Sequence, residues 1–212
     1  MEHLASRLAE IPGVVAVALG GSRATGRALP ASDWDFGLYY RGWLDVDAVR
    51  ALGWDGEVFA PGEWGIVPNG GAWLTVDGAR VDLIYRDLEV VEEWVRDAQA
   101  GRFRVLREVG YVAGAPTYSY AAELALNRVL VGSLPRPEFP AALRETAPPW
   151  WRRIAAGARR FAAAHDERGD EIAAAGNRAV AALAEAHATL CDAGEWWLNE
   201  KGLIARAREL GQ

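Results

Sequence analysis

Asp33 and Asp35, separated by Trp34, are the residues whose types and spacing point most directly to chemistry, because positions i and i+2 of an extended segment share one face. Two carboxylates held that close repel unless a cation lies between them. Hard oxygen ligands select Mg²⁺ or Mn²⁺, and Mg²⁺ takes one or two carboxylates together with substrate phosphates. About ten residues upstream stands Gly20-Gly21-Ser22-Arg23. Glycines without a Cβ let backbone N–H groups approach a phosphate, the Ser22 hydroxyl adds a directed hydrogen bond, and Arg23 adds charge.

Strands must position these groups. Residues 14–19 (VVAVAL) form an apolar, β-branched run that suits a strand buried on both faces. Residues 33–40 (DWDFGLYY) predict a second strand, with Trp34, Phe36, Leu38 and Tyr40 on the core face and Asp33 and Asp35 facing a cleft. Residues 72–85 read as two extended runs around Asp77-Gly78, a strong hairpin signal. In the second run Arg80, Asp82 and Ile84 share a face, so Asp82 is an acid in a half-buried strand, where an unpaired charge is costly. It is the third carboxylate to expect, with Asp77 in the turn and Asp87 at the strand exit as its neighbours.

This order of motifs resembles the DNA polymerase beta-like nucleotidyltransferase superfamily: Gly21-Ser22, a spacer of about ten residues, Asp33-x-Asp35, then the strand acid Asp82. The motifs cover about the first 90 residues, and the helical remainder is similar in layout alone to the second domain of small antibiotic nucleotidyltransferases. The resemblance implies transfer of a nucleoside monophosphate from an NTP, ATP being the expected donor, to a hydroxyl of a small-molecule acceptor, with release of pyrophosphate. An aminoglycoside-like antibiotic is an acceptor this layout admits. Asp33 and Asp35 would bridge two Mg²⁺ ions, Mn²⁺ being an alternative; Asp82 would complete the acceptor-side ion, and Gly20, Gly21, Ser22 and Arg23 would hold the triphosphate. Antibiotic-modifying relatives often add a carboxylate base, for which Glu123 in a helix expected over 118–131 is the candidate. Lys201 is the candidate for a mobile cation reaching the triphosphate. The alternative within the superfamily is an antitoxin or regulator that modifies or binds a protein partner. Such proteins are generally little more than the catalytic core, and the further hundred or so residues here favour the small-molecule transferase.

At 212 residues the chain suits one large domain or two small ones. The expected class is an α/β (α+β) catalytic domain with a mixed sheet over 1–112, followed by an all-α acceptor-binding domain over 113–212. Helices are expected over 3–11, 45–52, 88–100, 118–131, 150–164 and 171–190, with a glycine- and proline-punctuated loop or short strand over 53–71. The loop's tryptophans could stack a base or simply pack. Pro148-Pro149 should break the path before Trp150, and Ile172, Gly176, Ala179, Leu183, Ala186 and Leu190 mark an expected packing stripe.

A net charge of −6 argues against broad nucleic-acid binding, and Arg152, Arg153, Arg159 and Arg160 read as a solvated helix face. No apolar run of about 18 residues suggests a membrane span, and MEHLASRLAE lacks a leader's cationic start and apolar core, so the cytoplasm is the expected compartment. Cys191, the sole cysteine, excludes an intramolecular disulfide and a cysteine zinc cluster, and reads as packing. His165 and His187 have no metal-ligand partners at useful spacing. A homodimer stays open.

Overall fold

A computed structural model describes residues 1–65 and 69–211; residues 66–68, inside the expected 53–71 loop, and Gln212 lie outside the described residues. The chain divides into two units, residues 1–93 with 123–136 and residues 94–122 with 137–212, and the backbone passes between them three times.

The first unit is built on a mixed six-stranded sheet. Its strands are β1 (Val14–Leu19), β2 (Trp34–Tyr40), β3 (Asp55–Val58), β4 (Gly71–Val76), β5 (Ala79–Asp87) and β8 (Arg128–Val131), in the order β3-β4-β5-β2-β1-β8. Only β2 and β5 pair in parallel; the other neighbours are antiparallel. The β4–β5 hairpin turns on Asp77 and Gly78, both left-handed at φ 50° and 75°, as a tight two-residue turn demands.

Alternation gives this sheet two unlike faces. Phe36, Leu38 and Tyr40 of β2 and Val81, Leu83 and Tyr85 of β5 are buried on one, together with Val17 and Leu19 of β1 and Leu4 and Leu8 of α1 (Leu4–Ala9). Val49 of α3 (Val46–Arg50) joins them; the Asp45 carboxylate caps that helix by accepting from the Ala48 N–H at 3.0 Å. The opposite face carries Ala16 and Ala18, Asp35, Gly37 and Tyr39, and Asp82, Ile84 and Arg86.

The second unit is mainly helical. It contains α6 (Ala141–Asp166), α7 (Glu171–Ala193) and α8 (Leu203–Leu210), plus a ribbon of β6 (Val105–Leu106) against β7 (Ala115–Pro116). Leu143, Ala147, Trp151 and Ala155 of α6 recur at four-residue steps and pack on Ala184, Ala188 and Cys191 of α7. Two helices, α4 (Leu88–Gln99) and α5 (Ser119–Leu126), each begin in one unit and end in the other.

Three sequence expectations are corrected. The helix over 118–131 stops at Leu126, and Arg128–Val131 becomes β8 on the edge of the six-stranded sheet, because Arg-Val-Leu-Val presents β-branched residues for pairing with β1. The prolines at 148 and 149 lie inside α6. The carbonyls that lose their i+4 donors belong to Arg144 and Glu145, exposed residues whose carbonyls water can satisfy, while burial of Leu143, Ala147 and Trp151 holds the helix together. The expected stripe on α7 is half right: Leu183, Ala186 and Leu190 are buried, but Ile172, Gly176 and Ala179 are exposed, and Ala174, Ala181, Ala184 and Ala188 form the buried face. An alanine-rich helix offers several apolar stripes, and packing chooses among them. Among the described residues no helix is long and apolar enough to cross a membrane.

Candidate active site

Asp35 and Asp82 are direct partners across the parallel β2–β5 ladder, so their side chains rise from one face of the sheet on adjacent strands. Asp77 lies in the hairpin turn, and Asp87 pairs with Tyr40, on the opposite alternation from Asp35. Asp33 lies just before β2. Trp34 aligns with Val81, so Asp33 falls beside Arg80, whose Nε is 2.7 Å from Asp33 Oδ1.

The Gly20–Ser22 turn sits directly against this pair. The Gly20 N–H donates to the Asp35 carbonyl at 2.8 Å, tying the end of β1 to β2. Gly21, at φ +59°, opens the short helix α2 (Gly21–Ala24), and a Cβ there would overlap Oδ2 of Asp35. Its glycine therefore makes room for the carboxylate as well as for the turn. The N–H groups of Gly21 and Ser22 fall in the first turn of α2 and have no intrahelical acceptor.

Arg23 donates to the carbonyls of Asp33 at 3.1 Å and Ser32 at 2.6 Å, and its guanidinium lies 4.2 Å from the centre of the Trp34 ring. It thus fixes the approach to the Asp33-Trp34-Asp35 segment. Among the described residues no three His, Cys, Asp or Glu side chains converge as a ligand cluster. The donor set nevertheless suits a hard divalent cation: Asp35 and Asp82 share a face in register, with Asp33 one step further along it.

Glu123 is held within the same unit. Its carboxylate receives Nε and Nη2 of Arg86 at 3.0 and 2.7 Å, and Oε1 accepts the Tyr39 hydroxyl at 2.7 Å. Asn127 Nδ2 donates to that hydroxyl at 3.2 Å. Burial, then the Glu123 charge, pushes the Tyr39 phenol well above its usual range. The Tyr39 ring lies back along β2 against Gly37, which brings its hydroxyl, bonded to Glu123, beside the residue two positions from Asp35. Tyr39, Arg86 and Asn127 were not singled out from sequence. The available signal was Arg86, which continues the Arg80, Asp82, Ile84 alternation as a charge in a buried strand. Lys201, exposed in the turn before α8, belongs to the second unit.

Residues 1–99 match the family model described as a nucleotidyltransferase domain. They belong to the DNA polymerase beta-like nucleotidyltransferase superfamily. No curated protein matches the chain. The nucleotidyltransferase domain spans β1 to β5 and so includes the Gly20–Ser22 turn and all three aspartates. It supports a transferase role and nucleotidyl transfer in general.

Proposed function

We propose that the chain transfers a nucleoside monophosphate from an NTP, ATP being the expected donor, to a hydroxyl of a small-molecule acceptor. The bond between the α-phosphorus and its bridging oxygen to the β-phosphate breaks, pyrophosphate leaves with that electron pair, and the acceptor oxygen bonds to the α-phosphorus as its proton passes to a base. The observation that carries this reading is the register of Asp35 against Asp82 beside the Gly20–Ser22 turn. Asp33, Asp35 and Asp82 would hold divalent cations, Mg²⁺ or Mn²⁺, which when bound supply charge neutralisation at the entering and leaving oxygens.

The chain's own groups divide the remaining work. The N–H groups of Gly21 and Ser22, with the Ser22 hydroxyl, suit the β- and γ-phosphates. Arg23, committed to the carbonyls of Ser32 and Asp33, positions the aspartate segment in this reading. To hold a cation Asp33 would have to give up its pair with Arg80, whose side chain is exposed enough to swing away. Glu123 is the candidate base, oriented by Tyr39 and Arg86, and it gives up one of those partners to take the proton. The role of Lys201 on the triphosphate rests on sequence alone.

The test is a screen of each NTP with Mg²⁺ against aminoglycosides, lincosamides and other hydroxylated small molecules, read by pyrophosphate release and product mass. A product heavier than its acceptor by one nucleoside monophosphate residue, absent with Asp35→Asn, is the expected result. NTP consumption with no acceptor adduct, or equal product from Asp35→Asn, overturns the proposal.

A further inference from the structure

The row of residues that contains Asp35 and Asp82 continues across the sheet. Asp82 pairs with Trp73 on β4, and Trp73 pairs with Glu57 on β3, so Glu57, Trp73, Asp82 and Asp35 share one face on four successive strands. At a strand spacing of about 4.8 Å, Trp73 stands one strand from Asp82 and roughly 10 Å from Asp35. Its side chain is not submerged: the residue keeps 52 % of its surface exposed, on the face that carries Glu57, Asp82 and Asp35.

Trp73 is also braced. The Trp64 ring stacks on it at 5.2 Å and 24°, and Phe59 meets it edge-on at 4.9 Å and also touches Trp64 at 5.1 Å. Gly71, two residues before Trp73 on the same face, leaves the room the Trp64 ring occupies: a Cβ there would come within 2.7 Å of that ring. The result is a cluster of three aromatic rings on the strand beside Asp82.

In-line displacement decides what such a surface faces. The entering and leaving oxygens lie on opposite sides of the α-phosphorus. If the pyrophosphate leaves toward the Gly20–Ser22 turn, at the β1 side of β2, the acceptor enters from the β5–β4 side, where Trp73 stands. Resting on the proposed transfer, we infer that Trp73, backed by Trp64 and Phe59, is the stacking platform for the acceptor and determines its specificity. The occupant is a positively charged ring that carries the reacting hydroxyl. Its flat face lies on the indole, its charge is attracted by the π-surface and by Glu57, and its hydroxyl points across Asp82.

Binding without nucleotide tests this apart from turnover. Kanamycin and lincomycin, cationic hydroxylated rings, are titrated by calorimetry against spermidine, a cation with no ring, and trehalose, a ring with no charge. At least one of the first two binds the wild-type protein. Its affinity falls about tenfold in Trp73→Ala and in Trp73→Leu, which keeps apolar cover without a π-face, while Trp73→Phe retains most of it. Spermidine and ATP affinities stay within about twofold in all three variants. Failure of both antibiotics to bind, an equal loss for spermidine, or a loss confined to ATP overturns the platform. Transfer to an acceptor that ignores Trp73 sinks the platform and spares the transferase reading; Trp73-dependent binding with no transfer to any acceptor does the reverse.

Discussion

Each unit of this protein buries a polar cluster, and the two clusters use similar residues to opposite ends. In the first unit Arg86, Glu123, Tyr39 and Asn127 form a bonded chain around a fixed pair of charges, on the sheet face that carries Asp35 and Asp82. In the second, the Tyr118 hydroxyl accepts from Trp151 Nε1 at 2.8 Å and from the Cys191 thiol at 3.6 Å, and lies 3.4 Å from Nδ1 of His187, whose ring stacks on Trp151. Burial drives each titratable member of that second cluster to its neutral form: His187 down to about 4, Cys191 up to about 12, and Tyr118 well up. A tyrosine, a titratable partner and close packing are common to both. The difference is a guanidinium: the first interior holds an ion pair, Arg86 with Glu123, whereas burial without such a partner leaves the second cluster neutral.

The largest effect should come from the exposed end of the charged face. Asp35→Asn and Asp82→Asn should each lower turnover by about a thousandfold, the several kcal/mol expected from lost cation binding, with melting temperature nearly unchanged. Asp77→Asn and Asp87→Asn, off that face, should turn over normally. A dead Asp87→Asn beside an active Asp82→Asn would mean that the face has been misassigned.

Next in size is the guanidinium itself. The side chains of Arg86 and Glu123 are 7 % and 21 % exposed, so Arg86→Met should strand a largely buried carboxylate and cost about 3 kcal/mol of unfolding free energy. Adding Glu123→Leu should restore most of that loss, measured by urea unfolding. If the double variant is as unstable as Arg86→Met alone, Arg86 acts through packing, and the contrast between the clusters loses its electrostatic basis.

These two clusters also mark where sequence stops being informative. Asp33, Asp35 and Asp82 were legible because strand alternation and an Asp-Gly turn are local signals, and two-residue periodicity places a side chain on a face without knowing its neighbours. Arg86–Glu123–Tyr39 was not legible, because it joins residues 39, 86 and 123 through a parallel pairing and a return of the chain to the first sheet. That return, β8, was hidden by a helical pattern running into it from α5. On α7 the limit was degeneracy: small residues on several stripes fit a helix partner equally well before α6 is in place. The shared face of the aspartates was therefore readable from spacing, whereas the groups bonded to Glu123 required the fold.

The smallest effect belongs to the neutral cluster and is a matter of pH. His187 is buried, with Nε2 lacking a hydrogen-bond partner among the described residues, and its imidazole is lowered from 6.5 to about 4. Because the folded value lies below the unfolded one, between pH 6.5 and 4 the unfolded chain binds a proton that the folded chain refuses, so stability falls as pH falls through that window and His187 adds no further loss below it. At pH 5 the loss should be about 2 kcal/mol relative to pH 7.5. Tyr118 and Cys191 contribute nothing to it, since burial raises both and they stay protonated throughout. His187→Phe keeps a ring against Trp151 and removes the titration. Urea unfolding of both proteins at pH 7.5 and 5 gives the answer: carboxylates elsewhere act equally on the two, so the wild-type protein should lose about 2 kcal/mol more than the variant. Equal losses would mean that His187 is protonated in place, and the second cluster would then hold a charge without a guanidinium, contrary to the rule that separates it from the first.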